Sequence, residues 1–277
     1  MNTLELLKCP LCGTSLTKEG KSLFCGGVRR HCFDISAAGY VNFALSNAAG
    51  GGDDATLIAA RTAFLSSGAY APIAGEICAL LSKHVPHGTV VDAGCGEGYY
   101  TLEMARAGFE VLGFDLSKNG IKHAARASRA AGAQAFFAVG GIFDLPLQDA
   151  SVDAVVSLFA PVAEQEFLRV LKPNGILLLA GAGEEHLMDL KRVLYDTPYP
   201  NKPRADAPQS MALIEERTLR FTMPLSREAL QALFAMTPYY YRTPRAGKAR
   251  LDALDALDVG AAVDLAVYQK QSKNAHG

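Results

Sequence analysis

No stretch of this sequence stays apolar for long. The longest, Ile176 to Ala182, is interrupted by Gly181 and falls far short of the roughly 20 residues a membrane helix needs. Met1 to Leu7 shows no basic start followed by an apolar run, so neither a membrane span nor a secretion signal is expected. Charge of one sign is equally scarce: 27 Lys and Arg against 28 Asp and Glu leave a net charge of −1. Any nucleic-acid partner must therefore be held by local basic patches and not by the overall field. Cysteines number only six, and four of them fall between Cys9 and Cys32, unlike a disulfide framework spread over a secreted domain. A reducing, cytoplasmic compartment is expected. Internal repeats and long low-complexity tracts are missing too. What is present suits a globular protein: 49% hydrophobic and 20% charged residues with a mean hydropathy of +0.11 supply ample material for a core. At 277 residues the chain exceeds a usual domain, which suggests one large α/β domain with a small appended module.

Two boundaries show in the composition. Residues 1–45 hold the clustered cysteines; then Ser46 to Asp54, reading SNAAGGGDD, has the makings of a flexible linker over 46–55. The remainder, 56–277, opens with apolar residues at helical spacing from Thr56 to Phe64 and from Pro72 to Lys83, with Gly68 between. These read as two helices covering one edge of a larger α/β unit. Short apolar runs then alternate with helical segments: Thr89 to Ala93, Glu110 to Asp115, Gln134 to Val139, Ala154 to Phe159 and Gly175 to Ala180. That pattern predicts a doubly wound sheet of parallel strands with helical crossovers. After a loop carrying Pro198, Pro200, Pro203 and Pro208, a strand near Arg217 to Phe221, a helix over Ser226 to Met236 and a strand over Ala261 to Gln271 suggest an antiparallel addition at one edge.

The chemistry-bearing motif is Asp92-Ala-Gly94-Cys-Gly96-Glu97-Gly98, placed after a strand and before a helix. Glycines there let backbone pass close beneath a ligand, and the helix start offers free N–H groups. Seventeen residues beyond Gly98, at the end of the next strand, Asp115 can accept hydrogen bonds from both hydroxyls of a ribose. These residues resemble the S-adenosylmethionine site of the class I methyltransferases. The resemblance implies that the loop lies against the methionine part of the cofactor, that Asp115 binds the ribose and that Leu116 packs on the adenine. An acid found in many such enzymes four residues before Leu145-Pro146 is here Gly141, with Asp144 nearby.

Cys9-Pro-Leu-Cys12, Cys25 and then His31-Cys32 have the spacing of a structural zinc site built from two short knuckles. A module of about 40 residues has little core without such a staple. Spacing alone admits either His31 or Cys32 as the fourth ligand.

The stretch His31-Cys-Phe33-Asp34, followed by Gly39-Tyr40-Val-Asn42, is distinctive. With Ala60-Arg61-x-x-Phe64-Leu65, the loop through Tyr99-Tyr100, Ala160-Pro161, His186-Leu187 and Met236-Thr237-Pro238, it resembles the bacterial large-subunit ribosomal RNA guanine-N1 methyltransferases over nearly the whole chain. The resemblance implies several things. The fold would be a seven-stranded doubly wound mixed sheet of the class I S-adenosylmethionine type behind a zinc module. One structural Zn2+ would be held by Cys9, Cys12, Cys25 and His31. Cofactor contacts would be made at Tyr70, Gly96, Glu97 and His186, beside Asp92, Gly94, Gly98, Asp115 and Leu116. The substrate would be a guanine in one hairpin loop of 23S rRNA, and the chain would form a homodimer. On the residues alone Tyr70 reads as core and His186 as a helix cap. The family's linker is usually basic where this one reads SNAAGGG, and two extra residues separate Cys25 from His31.

Guanine N1 carries a proton that must leave, and Asp144, His186 and Glu164 are candidate bases. Tyr40 and Tyr239 to Tyr241 are candidate stacking partners for an unpaired base. Arg242, Arg245, Lys248 and Arg250, with Arg29 and Arg30 of the front module, are candidate phosphate contacts. Two other readings share parts of the pattern: a methyltransferase for a small molecule, which has no use for the zinc module, and a non-catalytic zinc-bearing RNA-binding protein.

Overall fold

The computed structural model describes residues 3–44, 54–202 and 207–271. Most of the expected linker lies outside them. The front module begins with a 3-10 turn at Thr3–Leu6 and forms a small antiparallel sheet of β1 (Leu16–Glu19), β2 (Ser22–Cys25) and β3 (Cys32–Asp34). β4 (Val41–Asn42) then leaves that sheet and pairs in parallel with Ala138 and Val139 of the large one.

In chain order the larger part runs α1 (Ala55–Ser66), α2 (Ala71–His84), β5 (Thr89–Ala93), α3 (Tyr99–Arg106), β6 (Glu110–Asp115), α4 (Lys118–Ala130), β7 (Ala135–Val139), β8 (Val152–Leu158), α5 (Glu164–Val170), β9 (Leu171–Ala182) and α6 (Met188–Leu194). β10 (Ala212–Ser226), α7 (Arg227–Ala235), α8 (Arg245–Asp252) and β11 (Ala256–Gln269) complete it. The sheet order is β10-β11-β9-β8-β5-β6-β7-β4, with β11 antiparallel to both neighbours and the other pairs parallel. The seven expected strands are therefore present as a mixed sheet, and the front module adds an eighth at the edge.

Local chemistry explains the helix starts. The carboxylate of Asp54 accepts the Leu57 N–H at 2.8 Å, and the Ser117 hydroxyl accepts the Gly120 N–H at 3.1 Å; both satisfy donors that a helix start leaves open. Pro72 sits in the first turn of α2, where its missing N–H costs nothing.

Side chains alternate between the two faces of the sheet, as the strand period requires. Val90, Val111, Ala154, Val156, Ile176 and Leu178 face one core, which α2 fills with Ile73, Ile77, Leu80 and Leu81. The first two helices are expected to cover one edge of the α/β unit. Instead α2 lies on a face, because an apolar stripe of this width needs the broad surface that a sheet face offers and an edge does not.

Val91, Leu112, Phe114, Val155, Leu177 and Leu179 face the other core, covered by Phe167 and Val170 of α5 and by Leu6, Leu7, Leu16, Leu23, Phe33, Val41 and Phe43 of the front module. The β7-to-β8 crossover, residues 140–151, contains no helix. Its backbone joins the module directly, Lys8 donating to Pro146 O at 2.9 Å and Gln148 to Leu6 O at 2.8 Å. Arg169 pins the same crossover through Leu145 O, Leu147 O, Glu166 and Asp149. The front module is thus part of the main core, and the expected linker over 46–55 does not set it apart from the sheet.

Candidate active site and metal centre

The glycine loop follows β5 at the C-terminal end of the sheet. Gly94, Gly96 and Gly98 all have positive φ, at 86°, 56° and 85°, a region open to glycine and costly for other residues. A Cβ on Gly94 would come within 2.9 Å of Ala160, and one on Gly96 within 3.1 Å of the Arg61 guanidinium. Asp115, ending β6, accepts the Gly96 N–H at 3.0 Å and the Ser117 N–H at 2.7 Å, which fixes loop and strand end together. Leu116 follows it, exposed, with Gly141 opposite.

Asp92 is buried beneath the loop and accepts the Thr101 hydroxyl at 2.6 Å, tying β5 to α3. Burial raises its pKa to about 7, with the Thr101 hydrogen bond pulling the other way. Glu97 is buried and meets Arg61 of α1 at 3.4 Å; desolvation raises its pKa while the guanidinium draws it back. Cys95 is buried and its thiol is pushed well up by desolvation, so it is held as an inert thiol.

Tyr70 and His186, far apart in sequence, meet at 3.1 Å between Oη and Nε2, both buried. The Ala262 N–H donates to His186 Nδ1 at 3.3 Å. Burial lowers the histidine's pKa to about 4, so near neutrality it carries a single ring proton. With Nδ1 accepting, that proton is on Nε2 and is donated to Tyr70. His186 therefore has no basic nitrogen to offer a substrate proton. Glu164, another candidate base, accepts the backbone N–H groups of Gln209 and Ser210 at 2.9 and 2.6 Å, both on one carboxylate oxygen. Asp144 is exposed on the crossover after β7.

Several features suit an S-adenosylmethionine ligand. The loop is a cradle that any Cβ would narrow, and Asp92, Glu97 and Asp115 outnumber Arg61 beside it, a balance that suits a ligand bearing a sulfonium and an ammonium. The Tyr100 hydroxyl, within electrostatic reach of Tyr70 and Glu97, is buried with no hydrogen-bond partner among the described residues.

The candidate metal ligands converge as well. Ligand atoms of Cys9, Cys12, Cys25 and His31 all lie within 4.8 Å of one another. Cys9 Sγ and Cys25 Sγ are each 3.5 Å from His31 Nδ1, and Cys12 Sγ is 3.6 Å from Cys25 Sγ. A tetrahedral zinc with bonds of about 2.3 Å to sulfur and 2.0–2.1 Å to nitrogen separates its ligands by roughly 3.6–3.8 Å. Cys32 points away, toward Asp34, so of the two candidates it is His31 that lies in the cluster. Backbone N–H groups of Leu11 and His31 reach Cys9 and Cys25 Sγ at 3.4 and 3.0 Å, the outer-shell support such thiolates use.

The basic segment differs from its sequence reading. It is a 3-10 turn, Pro238–Tyr241, followed by α8. Arg250 caps the carbonyls of Val193 and Leu194 at the end of α6, and Lys248 pairs with Asp252. Tyr239 is half-buried, facing Lys191 at 5.6 Å, and Tyr40 is buried, so neither offers a free stacking face. Tyr240, Tyr241, Arg242 and Arg245 are exposed, as is Arg250 beyond its carbonyl contacts, and Lys248 is partly exposed. Sequence reasoning missed α8, whose signal was its helix-forming composition and the Lys248–Asp252 pair at i, i+4. It also missed the fully buried Lys191, whose ammonium donates to Tyr199 O at 2.9 Å and Asn201 Oδ1 at 2.6 Å.

The strand order, the glycine loop and the acid ending the second strand of the larger part define a class I S-adenosylmethionine-dependent methyltransferase. A family model described as a methyltransferase domain matches residues 90–175, and one described as RlmA, N-terminal, a zinc ribbon, matches 7–44. The structure of the YcgJ protein from Bacillus subtilis superposes with a TM-score of 0.51 at 16% identity, covering 72% of this chain and 98% of that one.

At the level of sequence, the 23S rRNA (guanine(748)-N(1))-methyltransferase of Streptomyces fradiae is 32% identical over 86% of each chain. Relatives from Bacillus subtilis strain 168 and Micromonospora griseorubida, named for the same kind of enzyme, are 32% and 34% identical over 96% of this chain and 98% of their own. The chain belongs to the 23S rRNA (guanine-N1)-methyltransferase family. By contrast, a malonyl-[acyl-carrier protein] O-methyltransferase from Erwinia pyrifoliae matches only 36% of this chain, at 35% identity.

Proposed function

We propose that this protein transfers a methyl group from S-adenosylmethionine to N1 of a guanine in 23S rRNA. The observation that carries the reading is a core shared between a four-ligand zinc ribbon and the sheet whose strands end in a cofactor-type glycine loop and Asp115, an arrangement a small-molecule methyltransferase does not need. In this reading Asp115 takes the ribose and Leu116 covers the adenine. Gly94, Gly96, Glu97 and Gly98 line the methionyl end, and Tyr70 and His186 close it. Asp92 acts from below, bracing the loop through Thr101.

Once bound, the cofactor would supply a sulfonium-activated methyl group; its transfer to N1 would release the N1 proton to water and leave S-adenosylhomocysteine. The chain's own share is alignment and exclusion of water, a proximity effect that lowers such barriers by several kcal/mol. Tyr70 contributes orientation: its hydroxyl accepts from His186, so its own hydrogen is free to bind an acceptor on the ligand. Ribosomal RNA as substrate puts the protein's work in the cytoplasm. A homodimer belongs to the same reading and is checked by light scattering.

The test uses methyl-labelled S-adenosylmethionine and 23S rRNA from a strain lacking this protein. Label should enter the RNA and produce a primer-extension stop at one guanine, because an N1-methyl blocks Watson–Crick pairing. Label entering only a metabolite pool, or no RNA at all, would overturn the reading. Asp115→Ala should weaken S-adenosylmethionine binding by about 1.5–3 kcal/mol, roughly ten- to a hundredfold, with the fold intact by circular dichroism. Unchanged affinity in calorimetry would remove Asp115 from the site.

A further inference from the structure

Phe159 breaks two ordinary rules at once. Its φ is +53°, the left-handed region that a bulky residue rarely adopts, and the residue is 44% exposed. The conformation is held from several sides. Its N–H donates to Ala180 O of β9 at 2.8 Å, and the buried Ser157 hydroxyl donates to Pro161 O at 3.1 Å just beyond. Ala160, next in the chain, abuts the space above Gly94. Backbone strain of this kind persists only where surrounding structure enforces it, and it concentrates at functional sites.

Position says what the ring faces. Strands β6, β5 and β8 lie side by side; β6 ends in Asp115, β5 runs into the glycine loop and β8 is followed by Phe159. A ligand with its ribose at Asp115 and its amino-acid end over the loop presents its remaining side toward β8, where Phe159 stands. The ring lies 6.0 Å from the His186 ring, itself bonded to Tyr70, and it is the outermost of the three. Phe143 is exposed as well, but on the crossover after β7, beyond the Asp115 and Leu116 end.

N1 lies on the Watson–Crick edge, so the target guanine must leave its helix or loop stack, and its exposed faces need a flat apolar partner. We propose that the Phe159 ring is the surface on which the target guanine stacks. The inference rests on the rRNA reading of the site.

The chain has no tryptophan, so Phe159→Trp places the only indole in the protein at this point. Its emission should be quenched by the rRNA hairpin that carries the target guanine and not by the same hairpin made abasic there, with no cofactor present. Phe159→Leu, which keeps bulk and removes the flat face, should lower kcat/KM for RNA by about tenfold or more, the scale of one lost base–aromatic stack. S-adenosylmethionine affinity should stay unchanged in both variants, and Phe159→Trp should retain most activity. Equal quenching by the two RNAs, or wild-type kinetics in Phe159→Leu, would overturn the assignment while leaving the methyltransferase reading in place. A wild-type chain that methylates no guanine would bring down both.

Discussion

His186 has its proton decided by its neighbours. The Ala262 N–H occupies Nδ1 and burial holds the pKa near 4, so the ring stays neutral and its Nε2–H points at Tyr70. The stability consequence has a definite sign. An unfolded chain binds a proton at this histidine below about pH 6.5, whereas the folded chain does so only near pH 4; the unfolded state therefore gains as pH falls between those values. We expect stability to drop across that window. His186→Asn should flatten the drop by on the order of 1–3 kcal/mol in denaturant titrations run as a pH series; an unchanged slope would mean that the histidine is protonated in the fold. None of this was legible in the sequence. The glycines, Asp115 and the three cysteines announce themselves because their spacing is local, but His186 meets Tyr70 across 116 positions and owes its properties to that meeting. Only likeness to a family pointed to the pair.

Arg250 and Lys248 show the same limit one level up. In the sequence they belong to a basic-aromatic run; in the fold Arg250 closes the end of α6 and Lys248 braces α8. Cations at a helix C-terminus satisfy open carbonyls and oppose the dipole, at about 0.3–1 kcal/mol each. Arg250→Ala should accordingly lower the melting temperature by a few degrees and leave the salt dependence of RNA binding alone. The double variant Arg242→Ala and Arg245→Ala should reduce the salt slope by about two with the melting temperature unchanged. A reversal of those two outcomes in thermal melts and salt titrations would return Arg250 to the phosphate contacts. Strands fared better: β5 and β6 match their expected bounds to the residue, because a run of buried β-branched and aromatic side chains between turn signals has few other uses. β9 and β10 extend past both expected ends and β11 begins at Ala256, because ladder pairing continues beyond the expected runs, through Glu215 and Glu216 of β10 and Asp258 of β11 as well as through apolar residues.

Viewed as one body, the protein divides its sheet between two coverings, helices on one face and mainly the zinc ribbon on the other. The ribbon does the work of the helix that the β7-to-β8 crossover lacks, a substitution the sequence could not reveal, since it joins Leu7 to Leu147 and Val41 to Ala138. Removing the metal should therefore lower the melting temperature of the whole protein in a single transition. Two separate transitions in calorimetry after chelation would show that the ribbon is an independent unit after all. The two residues of β4 carry a further consequence. They pair with Ala138 and Val139, at the end of the sheet opposite β10. If the ribbon comes away, β7 becomes a bare border strand, with Ala135 to Val139 offering unsatisfied backbone groups and apolar side chains to any other chain nearby. Zinc would then govern not only whether one molecule stays folded but whether many stay apart. Light scattering of the chelated protein should rise steeply with protein concentration, and restoring zinc before the chains have zipped together should prevent it.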